Sequence, residues 1–319
     1  MKPETQHLVE KIQVRLAAVI AAAVSWWAIW RLVGPADQEA AWVFFADGSL
    51  PRLAVLAGLV WALAAVCAVL TVSSRPEGAV LATLVGVAAM SVRSGPARNL
   101  LVTGAGPNPE RSINAIFALL TGEILVLAAV LAGAVAVIYV VRALVRPLAG
   151  QWFWSTPAAA DAPGKGAGKG GKGDSEQASP RRSALVGAAG FLAVELAVAV
   201  ILLQVTFRST DTGQIAFALA GSFFAASFAA HMAFPIRGSI PCWLGPVIVG
   251  ALVLGLGALG HFAGPGPLWR RAILVASSVP LRAGLPAQWI GLGCGGAIAG
   301  FWASCRFREA PEEQPKPSY

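Results

Sequence analysis

Two carboxylates stand inside long apolar runs, Glu123 in LLTGEILVL and Glu195 in LAVELAV, each roughly midway through its segment. An ionised group at the centre of a bilayer costs at least ~2.5–3.5 kcal/mol, so each must face the interior of a helix bundle. Two such residues at similar depth, one in each half of the chain, are what a proton- or cation-coupling site needs. The plainer alternative is a structural carboxyl that hydrogen-bonds a neighbouring hydroxyl or backbone carbonyl.

Arg93, Arg237 and Arg282 share surroundings broken by Pro and Gly. A helix interrupted at membrane depth exposes backbone donors and carbonyls, which is tolerated only against protein or water. Transport sites are often built from such half-helices, and Arg beside a positive helix N-terminus attracts an anion. These three are therefore candidate substrate contacts; the alternative is that each snorkels to the headgroups from an ordinary loop. Two of them sit in related stretches, Pro235-Ile-Arg-Gly-Ser-Ile-Pro241 leading to Trp243-Leu-Gly245, and Pro280-Leu-Arg-Ala-Gly-Leu-Pro286 leading to Trp289-Ile-Gly291. An eight-span topology puts these copies on opposite faces, as an inverted repeat requires. Ser91-Val-Arg-Ser-Gly-Pro-Ala97 is a fainter third relative.

His231 falls near one end of its apolar run, about nine residues from the depth of Glu195, or roughly 13 Å at 1.5 Å per residue, so direct pairing is not expected. It is close in sequence to Ser239 and Cys242, but a nucleophile and base need a geometry that spacing alone does not supply. No HExxH, Walker loop or GxSxG occurs, nor an acidic cluster that would hold a metal. Cys67, Cys242, Cys294 and Cys305 are scattered, without metal or disulfide spacing. Neither a cofactor nor a metal is expected, and the reading leans away from an enzyme.

The elements that must position these residues are legible from composition. The 319 residues are 56% hydrophobic and 13% charged, against about 25% charged in an average soluble domain. The apolar residues come in blocks near 20 long, the length a helix needs to cross ~30 Å of hydrocarbon. The blocks are apolar on every face, without the dyad alternation of a β-barrel. The fold class is thus all-α: a polytopic transmembrane bundle of about eight spans in two groups of four.

The expected spans are 16–33, 53–72, 79–95, 114–141, 184–206, 215–234, 244–262 and 287–304, with 268–283 interfacial or re-entrant. Residues 1–15 form a cytoplasmic N-terminal segment. The run at 16–30 lacks a small-x-small cleavage site, so it is read as a retained first span rather than a signal peptide. The first transmembrane group is 16–156, the second 183–304, and 305–319 is a cytoplasmic tail. Between the groups, 157–182 contains none of the larger apolar residues, cannot offset ordering entropy by burial, and is expected to be a disordered Gly/Lys-rich cytoplasmic linker.

With the N-terminus inside, 15 of the 24 Lys and Arg fall in cytoplasmic segments, which favours both termini inside. The net charge of +8 thereby suits membrane orientation and anionic headgroups better than nucleic acid. Trp30, Trp42, Trp152, Trp154, Trp243, Trp269, Trp289 and Trp302 mark span ends, where indole rings favour the headgroup level. In the last span, Gly291/Gly295 and Gly296/Gly300 make two GxxxG spacings that let backbones approach closely in lipid.

The leading functional reading is a permease-like bundle in a bacterial cytoplasmic (inner) membrane, moving a small solute or ion. Glu123 and Glu195 would be its coupling groups and the arginines its substrate contacts. Its partners are then the lipid bilayer, that solute or ion, and a second copy or another membrane protein packed on the glycine face. The alternative is a non-catalytic membrane scaffold or assembly partner that uses the glycine helix and the Gln151–Trp154 segment as contacts.

Overall fold

The computed structural model describes residues 3–37, 39–45, 49–103, 109–152, 180–236, 238–259 and 284–309. Arg237, Arg282, the 268–283 stretch, the tail from residue 310 and linker residues 157–179 lie outside them. Linker residues 180–182 are helical, as the first turn of the helix that follows.

Among the described residues every regular element is a helix. Helix α1 runs Pro3–Val24, opens into a π-helical turn at Ser25–Ile29 and closes with Trp30–Val33. Then come α2 (Leu50–Leu70), α3 (Pro76–Arg93), the short α4 (Ala97–Thr103) and the long α5 (Pro109–Trp152). The second half holds α6 (Pro180–Thr206), α7 (Thr212–Ala233) and α8 (Ile240–Ala258). The last helix, α9, starts at Pro286–Gln288, passes through a π-helical segment at Trp289–Cys294 and ends with Gly295–Glu309. Proline supplies the first turn of α2, α3, α8 and α9, where its missing N–H costs nothing.

Seven helices are long and apolar enough to cross a membrane: α1 over Leu8–Val33, α2, α3, α5 over Ile113–Pro147, α6 over Leu185–Thr206, α7 and α8. The sequence reading counts eight. The eighth, 287–304, corresponds to α9, which carries five glycines between Pro286 and Glu309 and is not among the seven.

Helix directions follow from paired contacts. Gly78 and Gly86 of α3 meet Val14 and Ser25, so α3 runs parallel to α1; Leu63 of α2 also meets Gly86. Trp61 packs on Gly133 and Arg142 reaches Thr71, which sets α5 parallel to α2. Gly250 and Gly257 of α8 lie on Ile124 and Phe117, so α8 runs against α5. Gly296, Gly300 and Ser304 of α9 meet Ala220, Phe224 and His231, so α9 is parallel to α7.

Helix α9 is the axis of the second half. From Gly284 to Phe301 only Leu292 and Ala299 are part exposed, with α3, α7 and α8 packed around it. In lipid no hydrophobic force drives helices together, so close approach through small residues must do it. Gly291 allows this against the backbone of Ala88, and Gly296 and Gly300 allow it against the carbonyls of Ala220 and Phe224.

Three of the boundary tryptophans are buried. Trp42 and Trp289 are buried, 2% and 0% exposed, and Trp30 is buried with them. Trp30 and Trp289 lie near helix ends and Trp42 in the connection between α1 and α2, but all three pack into the core. Two of the indoles find a carbonyl there: Val33 for Trp42 and Gly284 for Trp289. That pairing removes the usual reason for an indole N–H to seek the interface.

Candidate functional site

Glu195 lies on α6, whose span is otherwise the least buried of the seven, yet its own side chain is 0% exposed. It points into the bundle at the first two turns of α8. Gly245, the sixth residue of that helix, has no side chain to obstruct it: a Cβ there would come within 2.6 Å of Glu195 Oε2. Cys242 on α8 and Cys294 on the π-helical segment of α9 are both fully buried and in electrostatic reach of the same carboxyl. The fully buried Ser227 hydroxyl of α7 lies next to Cys242 without a hydrogen bond of normal geometry. Among the described residues neither oxygen of Glu195 has a hydrogen-bond partner.

The setting is unusual, because more than nine in ten buried polar groups are satisfied. Thiols are weak hydrogen-bond donors and glycine offers no side chain at all. The fold has thus placed a full carboxyl where nothing nearby competes for its lone pairs. Cys242 and Cys294 are 52 positions apart in sequence, and only the antiparallel packing of α8 on α9 brings them to one carboxyl. Cys294 Sγ meanwhile hydrogen-bonds the Trp243 carbonyl at 3.4 Å.

Glu123 is in a different chemical situation. It too is 0% exposed, but its Oε2 accepts the backbone N–H groups of Phe44 at 2.8 Å and Phe45 at 3.1 Å. These belong to the connection between α1 and α2, and Trp42 in the same connection donates its N–H to Ser94 Oγ at the end of α3 at 2.8 Å. Glu123 is therefore level with helix ends, whereas the Glu195 carboxyl meets α8 just beyond that helix's first turn. The two carboxyls are not brought together.

Arg93, the last residue of α3, donates from Nη1 to the Trp26 carbonyl at 2.7 Å, inside the π-helical turn of α1. Its Cζ lies 5.3 Å and 5.4 Å from the ring centres of Trp26 and Trp30. Its guanidinium thus has one hydrogen bond to helix α1 and lies near two of that helix's rings. His231 Nδ1 meets Ser304 Oγ at 2.7 Å, and Ser304 also donates to the Phe301 carbonyl. His231 sits among α7, α9 and Ile236.

One of the basic residues counted on the cytoplasmic side, directly after the expected span 114–141, is buried. Arg142, 4% exposed, lies within α5 and donates to the carbonyls of Thr71, Val72 and Ser74. It caps the C-terminal end of α2, where unpaired carbonyls and the helix dipole favour a cation. Its position directly after an apolar run looked like an ordinary flanking charge, so the sequence held no signal for the difference.

Among the described residues, no group of three or more His, Cys, Asp or Glu is placed to hold a metal ion. Comparison of the chain with models of known families, with characterised proteins and with solved structures finds no match.

Proposed function

We propose that the chain is a multi-pass membrane transport protein in which Glu195 binds and releases the coupling ion, and that this ion is a proton. The observation that carries this reading is a fully buried carboxyl in a spanning helix with no hydrogen-bond partner among the described residues. A carboxyl that serves to hold backbone would be bonded to it, as Glu123 is to two amides. Hard cations such as Ca²⁺ or Mg²⁺ need six or more oxygen ligands, and the groups around Glu195 are thiols, glycine and one hydroxyl. A proton needs a single oxygen.

The same reading makes α9 the eighth crossing, places both termini on the cytoplasmic side, and assigns the chain to a bacterial inner membrane. Alternating helix directions and the Lys/Arg bias support that topology. The test uses the full chain in proteoliposomes with a pH dye inside and an imposed potassium diffusion potential. Proton flux above that of protein-free vesicles is expected, with at least a tenfold loss in Glu195→Gln. Equal flux in the two proteins would refute the proposal.

A further inference from the structure

The connection between α1 and α2 is held by an unusual set of bonds. Residues 41–43 form neither helix nor strand, yet Ala41, Trp42, Val43 and Phe44 are all buried. Buried backbone amides must find acceptors, and here they find side chains on two separate helices. Ser94, at the C-cap of α3, takes the N–H of Trp42; Glu123, on α5, takes those of Phe44 and Phe45 through one oxygen.

The rest of the segment is fitted just as closely. Gly95 donates its N–H to the Ala40 carbonyl at 3.1 Å, and any side chain at Gly95 would collide with the Glu39 carbonyl. The Trp42 ring packs between Trp30 and Phe44, with centroids 5.5 Å and 5.4 Å away. The result is a buried strap across the end of the bundle where α1 and α3 finish and α2 begins.

We infer that residues 41–45 are a gate over this end of the bundle, and that Glu123 is the latch on which the strap opens and shuts. A connection held by ladder or helix hydrogen bonds opens only when that element melts. This one is held mainly at side chains, two amides on one Glu123 oxygen and one on Ser94 Oγ, and closed and open arrangements of such a segment form a two-state element. The packed rings and the Trp42 indole N–H on the Val33 carbonyl also hold the closed state. Glu123, which takes two backbone amides where Ser94 takes one, is the largest single side-chain tie. The inference is independent of the role proposed for Glu195, and its test reads the strap alone.

The experiment uses the full-length chain in lipid vesicles with Cys67, Cys242, Cys294 and Cys305 replaced by Ser. A single reporter, Ala41→Cys, is exposed to a membrane-impermeant maleimide on both faces. With Glu123 present the buried reporter labels slowly. Glu123→Ala is expected to label at least tenfold faster, and Glu123→Gln to stay near the parent rate, because its amide oxygen accepts the same two hydrogens. Unchanged labelling in Glu123→Ala, or equal acceleration in Glu123→Gln, overturns the gate.

A second reporter, Ala230→Cys, in the core beside His231, separates release from unfolding and must stay silent. If Glu123→Ala exposes this one as well, Ser94→Ala decides, since it removes one tie only. Position 41 then labels at least threefold faster with position 230 silent, or the proposal falls.

Discussion

Gly245 approaches the Glu195 carboxyl so closely that a Cβ built on it would lie 2.6 Å from Oε2 and 2.8 Å from Cδ. The glycine is what allows α6 and α8 to share that carboxyl without a partner between them. Gly245→Ala should force the carboxyl aside and cost about 1–3 kcal/mol, the usual range for overpacking. The combination Gly245→Ala with Glu195→Ala should recover most of that loss, giving a coupling energy above about 0.5 kcal/mol in a double-mutant cycle. Thermal unfolding in detergent measures both quantities. Additive losses would mean that the two residues do not touch.

The glycines of α9 are not equivalent, although their spacing in sequence makes them look so. At Gly296 and Gly300 a methyl group would run into the backbone carbonyls of Ala220 and Phe224, whereas at Gly295 the nearest atom is Leu84 Cβ at 3.7 Å. Backbone cannot swing away as a side chain can. Gly300→Ala should therefore lower the melting temperature by an amount that corresponds to about 1–3 kcal/mol, while Gly295→Ala should be neutral or mildly stabilising through its gain in helix propensity. Equal effects at the two sites would show that α9 and α7 are not in this register.

Arg142 holds three carbonyls with one guanidinium at the turn from α2 to α3. Hydrogen bonds from charged donors contribute about 1.5–3 kcal/mol each. Among the described residues, the Thr71 carbonyl alone of the three keeps bonds, from Ser74, when the guanidinium is lost. Arg142→Ala should destabilise the protein by at least about 3 kcal/mol. Arg142→Lys should rescue it only in part, because an ammonium cannot reproduce the planar fork. Limited proteolysis at the turn, residues 71–75, should accelerate in both variants and more in the first. An intact turn in Arg142→Ala would remove this residue from the account.

How much of this was legible in the sequence depended on the range of each interaction. Helix positions follow from blocks of about 20 apolar residues, a local property, and α3 ends at the Arg93 that interrupts its span. The glycine spacing of α9 is also local and pointed to close packing before any partner was known. The burial of Glu195 was readable because an ionisable residue in an apolar run has nowhere else to go. Its company was not readable: Cys242, Cys294 and Ser227 come from three other helices, and no spacing rule connects them. The strap was hidden for the opposite reason. Residues 41–45 read as a loop with a boundary tryptophan, and only Glu123, 78 and 79 positions away from the amides it holds, makes them part of the core. Glu123 and Glu195 look alike as sequence and differ entirely in what their oxygens touch.

The central claim, that Glu195 takes up and releases a proton inside the folded protein, is tested most directly by difference infrared spectroscopy. The lipid-reconstituted chain is stepped between acidic and alkaline buffer while the carboxyl C=O stretch is followed. A reversible carboxyl signal separate from the bands of the exposed Asp and Glu side chains is predicted in the parent protein, absent in Glu195→Gln and retained in Glu123→Gln. A signal that survives Glu195→Gln, or one that never appears in the parent, would contradict the account.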